Sequence, residues 1–184
     1  MAFGLHNKQP LIHRGTRVTV RSFDLPQRGG GTLRREVVEA ADAVVILPVT
    51  HDGRVVLIQN RRFALNETLW ELPAGTLEEG EDPAAAAPRE LAEETGYAAE
   101  RIEPLTHFFV APGFCTERLH AFKGTGLSEV GQTLDATEDI QVAIKTWPEV
   151  LAMIQNSTIR DAKSIATLLF EHTFGGTAAD GDTV

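Results

Sequence analysis

Residues 75–97 read GTLEEGEDPAAAAPRELAEETGY. Asp82 is suited to cap a helix, and Pro83 suits its first position, where a missing N–H leaves no bond unmade. Gly96 suits the left-handed residue that closes a helix. The stretch therefore predicts a helix from Pro83 to just before Gly96. On that helix Glu90, Glu93 and Glu94 share an arc of about 100°. Side chains three and four apart lie about 5–6 Å from each other at Cβ, and like charges there destabilise a helix by a few tenths of a kcal/mol. Clustered hard oxygen ligands suit Mg2+ or Mn2+, and a cation between them relieves the repulsion. Arg89 can pair with Glu93 one turn on and hold it. Leu91 points away, as a core anchor. Pro88 falls inside the helix, where proline costs about 3 kcal/mol. A kink or local irregularity is expected just before Arg89, with the alanines at 84–87 offsetting part of the cost.

On the N-terminal side, Trp70 to Leu72 reads as a short strand leading into Pro73-Ala74-Gly75. Ala43 to Val49 is a nearly continuous apolar run and predicts a central strand. His51-Asp52-Gly53 predicts a tight hairpin turn, with Arg54 to Gln59 returning. Thr16 to Leu25 alternates apolar and polar residues. It pairs through the turn at Pro26 to Gly31 with Leu33 to Val38 as an N-terminal antiparallel hairpin. Residues 1–14 read as a loose leader. On the C-terminal side, Glu103 to Val110, Glu117 to Lys123 and Ile140 to Trp147 read as strands. Pro148 to Gln155 and Thr158 to His172 read as helices, the last with an apolar stripe from Ile159 to Leu169. The mixture predicts α+β, or an α/β/α sandwich around a mixed central sheet. The organisation is a leader and hairpin over 1–40, one main domain over 41–174 and a flexible tail over 175–184.

The chain has 184 residues, 42% hydrophobic and 23% charged, enough for one sizeable core. Its net charge of −9 disfavours non-specific binding to a nucleic acid backbone. An acidic protein acting on an anionic substrate needs metal ions or a few placed Arg and Lys. The single cysteine, Cys115, excludes an intramolecular disulfide. The start, MAFGLHNKQP, has no apolar secretory region. Ala43 to Val49 falls far short of the roughly 20 residues a membrane helix needs. The expectation is a soluble cytoplasmic protein with neither nucleic acid nor membrane as partner.

A bare E-x-x-E-E is most often a solvated helix face. Here Gly75, Glu81, Arg89, Glu90, Glu93, Glu94 and Gly96 together resemble the signature of the Nudix hydrolases. That signature is glycine, five residues, glutamate, seven residues, then Arg-Glu-apolar-x-Glu-Glu-x-Gly and a hydrophobic residue. Tyr97 stands at the last position, where an aliphatic residue is commoner. The resemblance implies the Nudix fold and cleavage of a nucleoside diphosphate linked to another group. It implies that Glu90 and Glu94 carry most of the metal binding and that Glu93 is a further ligand or orienter. The Ala74 carbonyl completes a metal site, and Glu81 supports the loop or binds metal through water. Metal ions neutralise the polyanionic pyrophosphate and lower the pKa of the attacking water.

Residues outside the box narrow the resemblance. Trp70-Glu71-Leu72-Pro73-Ala74-Gly75 is similar to the lead-in of ADP-ribose pyrophosphatases. Pro112 resembles their downstream proline, and Asp161-Ala162-Lys163 with Ile165-Ala166 their last helix. The likeness covers roughly residues 16–172. Enzymes acting on nucleotide sugars share these features. The likeness implies that Arg62 contacts substrate phosphate, with Arg61 as its rival. It also implies that Glu138 activates the water, with Asp135 and Asp139 as rivals. Phe114 or Phe108 could stack on adenine, and Glu117 could contact metal or the terminal ribose. A homodimer is expected. The resemblance points to ADP-ribose cleaved to AMP and ribose 5-phosphate. A nucleotide-sugar or dinucleoside polyphosphate substrate is the alternative. A non-catalytic nucleotide-binding regulator is a third reading, and the intact carboxylate set argues against it.

Overall fold

Ala43–Pro48 is buried on both faces, and the rest of the molecule is arranged around it. The structure is a computed structural model and describes residues 9–136 and 138–175. In chain order the elements are β1 (Leu11–Arg14), β2 (Val18–Pro26), β3 (Thr32–Ala40), β4 (Ala43–Pro48), β5 (Val55–Arg62), β6 (Glu67–Glu71) and β7 (Ala74–Thr76). After them come α1 (Pro83–Thr95), β8 (Tyr97–Phe109), β9 (Arg118–Glu129), β10 (Ile140–Lys145), α2 (Trp147–Gln155) and α3 (Ala162–Phe174). The strands form three sheets, ordered β7-β4-β9-β8, β10-β5-β6 and β1-β2-β3. The first is mixed, because β4 runs parallel to β9 and antiparallel to β7.

Alternation along β4 separates two cores. Val44 and Ile46 pack with Ala86, Ala87 and Leu91 of α1 and with Phe122. Val45 and Leu47 pack with Val55 and Leu57 of β5, Val150 of α2 and Leu168 of α3. One helix thus covers one face of the mixed sheet. The second sheet with α2 and α3 covers the other. This is the mixed α+β sandwich the sequence predicts. No helix among the described residues is long and apolar enough to cross a membrane.

Several local expectations are corrected. The turn at 51–53 forms, but only Gly53 takes a positive φ, +79°. The returning strand does not pair along β4, and a single bridge, Val49 to Val55, joins the two. Both edges of β4 are already taken by β7 and β9, so β5 pairs with β10 and β6 instead. Leu11–Arg14 is no loose leader but a strand against β2. Residues 1–8 and 176–184, with most of the expected tail, lie outside the described residues. The last helix begins at Ala162 rather than Thr158, because Asp161 is its cap and accepts the Ser164 N–H at 3.0 Å. Helix α1 runs unbroken through Pro88. Pro88 and Ala84 are both exposed, so water can take the hydrogen bond that proline cannot donate.

The C-terminus of α1 is clasped by the segment after β9. The Gly96 carbonyl accepts the Val130 N–H at 2.7 Å, and the Glu93 carbonyl accepts the Thr133 N–H at 3.1 Å. The Gln132 side-chain amide donates to the Glu94 carbonyl at 2.6 Å. Gly96 itself sits at φ +72°, and a Cβ there would lie 2.8 Å from the Gln132 nitrogen and 2.9 Å from the Gly131 carbonyl carbon. Both obstacles are backbone. Gly96→Ala is therefore expected to destabilise the fold by about 1–3 kcal/mol. Thermal denaturation should show a midpoint lower by about 2–10 °C. An unchanged midpoint would mean that the clasp yields without cost.

Candidate active site

Helix α1 delivers its carboxylates because both its ends are fixed locally. Asp82 caps it, accepting the Ala84 N–H at 3.0 Å, and Gly96 closes it. Leu91 is fully buried and fixes the rotation of the helix against the sheet. The other side faces a cleft of about 1040 Å³ between α1, the β5–β6 hairpin, the end of β8 and the start of α3.

Arg89 is the hub of the exposed half of this face. Its guanidinium lies 3.0 Å from Glu81, 2.8 Å from Glu90 and 3.1 Å from Glu93. Burial works against its charge, but the Glu90 and Glu81 carboxylates more than offset that and raise its pKa. Glu81 also accepts the Glu78 N–H at 2.9 Å, which folds the loop before the helix. That backbone bond first, with Arg89, holds the Glu81 carboxyl below its usual range while burial opposes.

Glu90, largely buried, and Glu94, almost fully buried, form the inner half. The Glu90 carboxylate lies against the Gly75 backbone, where an added Cβ would sit 1.8 Å from its Cδ. Only glycine leaves that space. Glu94 is 3% exposed and accepts the Ala74 N–H at 2.8 Å. Burial first, then the charges of Glu90 and Glu138, push its carboxyl up to about 8. Glu90 is raised for the same reasons, by burial first and with Glu93 and Glu138 adding, while Arg89 opposes.

This donor set fits a hard divalent cation. Its side-chain donors are all carboxylate oxygens, and burial raises the carboxyls of both Glu90 and Glu94, which a cation between them would reverse. Among the described residues, no three carboxylate or imidazole groups already surround one point. The reason is visible: Arg89 draws Glu90 and Glu93, while the Ala74 N–H holds Glu94.

Ala74, Arg89, Glu90, Glu93, Glu94, Arg62, Glu117 and Glu138 all line the cleft, as do the rivals Arg61 and Asp135. Glu138 accepts the Asp135 N–H at 2.9 Å. Burial raises the Glu117 carboxyl against the pull of Lys163 and Arg17. Other expected residues are not brought in. Asp139 lies off the lining, its carbonyl accepting the Arg61 N–H at 3.2 Å. Pro112 and Phe114 also lie off it, both exposed, on a loop laced to β3 by the Val38 N–H, which donates to the Phe114 carbonyl at 2.7 Å. Phe108 does line the cleft, and its neighbour Phe109 lines it while more than half exposed.

Sequence reasoning placed Glu71, Asp161 and Lys163 in motifs but gave them no role in the site. Glu71 is 1% exposed, and Arg62 grips it with two hydrogen bonds of 2.8 and 2.6 Å. Lys163 pairs with Glu71 as well, and with Asp161 at 2.9 Å. The Glu71 hydrogen bond raises the Arg62 pKa, against its burial. A charge between Leu69 and Leu72, both buried, was the available signal, since such a carboxylate needs a partner.

The family model of the NUDIX domain matches residues 39–168. The ADP-ribose pyrophosphatase of Bacillus subtilis is 37% identical over 147 residues, covering 79% of this chain and 78% of that protein. The methanol dehydrogenase activator of Bacillus methanolicus is 35% identical over 165 residues, covering 89% of each. Among solved structures, an ADP compounds hydrolase superposes with a TM-score of 0.80 at 21% identity, covering 92% of this chain and 93% of that one. This last likeness shows the fold. In general, Nudix hydrolases depend on a divalent metal. A family match over most of the chain, on top of a signature that folds into one cleft, settles the assignment: the chain belongs to the Nudix family and is a pyrophosphatase of that family.

Proposed function

We propose that this protein hydrolyses ADP-ribose to AMP and ribose 5-phosphate with Mg2+ or Mn2+. The observation that carries the reading is the seating of Glu90 and Glu94 on the Ala74-Gly75 backbone, inside a cleft that also holds Arg62 and Glu138. The relative named as an ADP-ribose pyrophosphatase supports the choice of substrate. Glu90, Glu94 and the Ala74 carbonyl would hold the metal, with Glu93 as a further ligand or orienter fixed by Arg89. The metal, when bound, neutralises the pyrophosphate and lowers the pKa of water. Glu138 takes the proton from the attacking water. Arg62 binds a phosphate, and Glu117 faces the terminal ribose. Pro112 and Phe114 reach the substrate only if their loop closes over it.

We also propose a homodimer. Leu11, Ile12, Leu25, Leu33 and Phe114 are exposed along the N-terminal sheet and the loop laced to it, and a second copy would cover them. A single cysteine and a net charge of −9 suit the cytoplasm.

The test is a panel of ADP-ribose, nucleotide sugars and dinucleoside polyphosphates, each with Mg2+, Mn2+ or EDTA. A coupled phosphatase releases phosphate from the phosphomonoester products. ADP-ribose should show metal-dependent turnover with kcat/KM at least about tenfold above the others, a difference of about 1.4 kcal/mol in transition-state binding. Faster turnover of a nucleotide sugar would replace the substrate. Binding without turnover of any compound would make the protein a nucleotide-binding module.

A further inference from the structure

Strand β6 carries a carboxylate where the core would accept an apolar side chain. Glu71 is 1% exposed. It is paired twice over, with Arg62 from β5 and with Lys163 from α3. Lys163 also reaches Asp161 at 2.9 Å, and Asp161 caps α3. The Ser164 hydroxyl accepts the Leu72 N–H at 2.7 Å, so β6 and α3 are joined beside the ion pairs as well.

Stability alone does not explain this arrangement. A buried ion pair is often no more stabilising than apolar residues of the same volume. One cation would satisfy Glu71, yet it has two, and both line the cleft. Arg62 spends Nε and Nη2 on Glu71. That leaves Nη1 unused by Glu71, on a side chain that is 40% exposed. A guanidinium gripped along one edge still offers donors on another, aimed by the grip. Much of the remaining wall is acidic, with Glu90, Glu93, Glu94, Glu117 and Glu138. At this corner two cations face two carboxylates, Glu71 and Asp161, so a phosphate entering without metal meets spare N–H donors held in place rather than net positive charge.

We propose that Glu71 is a positioning residue that presents Arg62 and Lys163 together as an anion-binding corner, with Lys163 a direct contact to a substrate phosphate. The inference rests on the reading of the substrate as a nucleoside diphosphate derivative. It adds two residues to the site and gives Arg62 a fixed aim.

Two measurements test it. With ADP-ribose and Mg2+, Glu71→Gln and Lys163→Met should each raise KM about tenfold while kcat stays within about threefold. In the double variant the two effects should fall short of multiplying, because both act on one corner. A fall in kcat that tracks the melting temperature, with KM unchanged, would mean that the cluster only holds the fold and would overturn the proposal. The second measurement is calorimetric titration of inorganic pyrophosphate in EDTA, which needs no turnover. Kd should rise about tenfold in each variant. An unchanged Kd, or no binding to the unaltered protein, overturns the corner whatever the turnover assay gives. A Kd that rises as expected in a protein that does not turn over ADP-ribose would sink that substrate and leave the corner standing. Should Glu71→Gln fail to fold, Lys163→Met carries both measurements alone.

Discussion

Glu94→Gln is expected to fold, to lose about three orders of magnitude in kcat, and without metal to be more stable than the parent protein at alkaline pH. The loss of rate corresponds to about 4 kcal/mol. It follows from removing a charged oxygen donor at the floor of the cleft while keeping its shape. The gain in stability follows from linkage. The Glu94 carboxyl titrates near its ordinary 4.5 when unfolded and near 8 when folded, because burial and then Glu90 and Glu138 oppose its charge. Between those values the folded state binds more protons than the unfolded state. The stability this contributes is complete below pH 4.5 and is lost as pH rises through about 8. Glutamine is neutral throughout and can still accept the Ala74 N–H. In EDTA, the parent melting temperature should fall by several degrees from pH 5 to pH 9, and the variant should fall less. Equal slopes would place the titrating group elsewhere. Turnover within tenfold of the parent with Mg2+ would remove Glu94 from the metal set.

Glu138→Gln is expected to lower kcat by about 10²–10⁴-fold with little change in KM, the range seen when a general base is lost. Glu138 lines the cleft, and its carboxylate accepts the Asp135 N–H at 2.9 Å. The control variants are Asp135→Asn and Asp139→Asn. Asp139 does not line the cleft, so its loss should stay within about threefold. Asp135 does line it and is the sharper rival. A large loss in Asp135→Asn with a small one in Glu138→Gln would transfer the role.

What was legible in the sequence was local. The cap at Asp82, the stop at Gly96 and the carboxylate face between them are written in consecutive residues, and α1 forms where they place it. The turn at Gly53 was equally local and equally present. Its outcome was not legible, because which edge β5 pairs with depends on β7 and β9 having taken β4. Glu71 and Lys163 are 92 positions apart, so their pairing has no local trace. Pro112 and Phe114 show the opposite case: the resemblance places them beside the site, while in this structure they lie off the cleft lining and their loop is hydrogen-bonded to β3. The box is readable because one helix carries it. The corner at Glu71 is not, since three elements must meet before it exists.

The clasp on the end of α1 turns chain length into chemistry. Val130 to Thr133 are bolted to the same helix that carries Glu90, Glu93 and Glu94. Glu138 follows only five positions after Thr133, so the chain between the clasp and Glu138 is short. Adding or removing one residue within it would shift the reach of Glu138 by up to about 3.5 Å. A proton acceptor must stand within about 2.6–3.2 Å of the oxygen it serves. With Glu138 as the proposed base, a one-residue indel there is expected to lower turnover with every side chain intact.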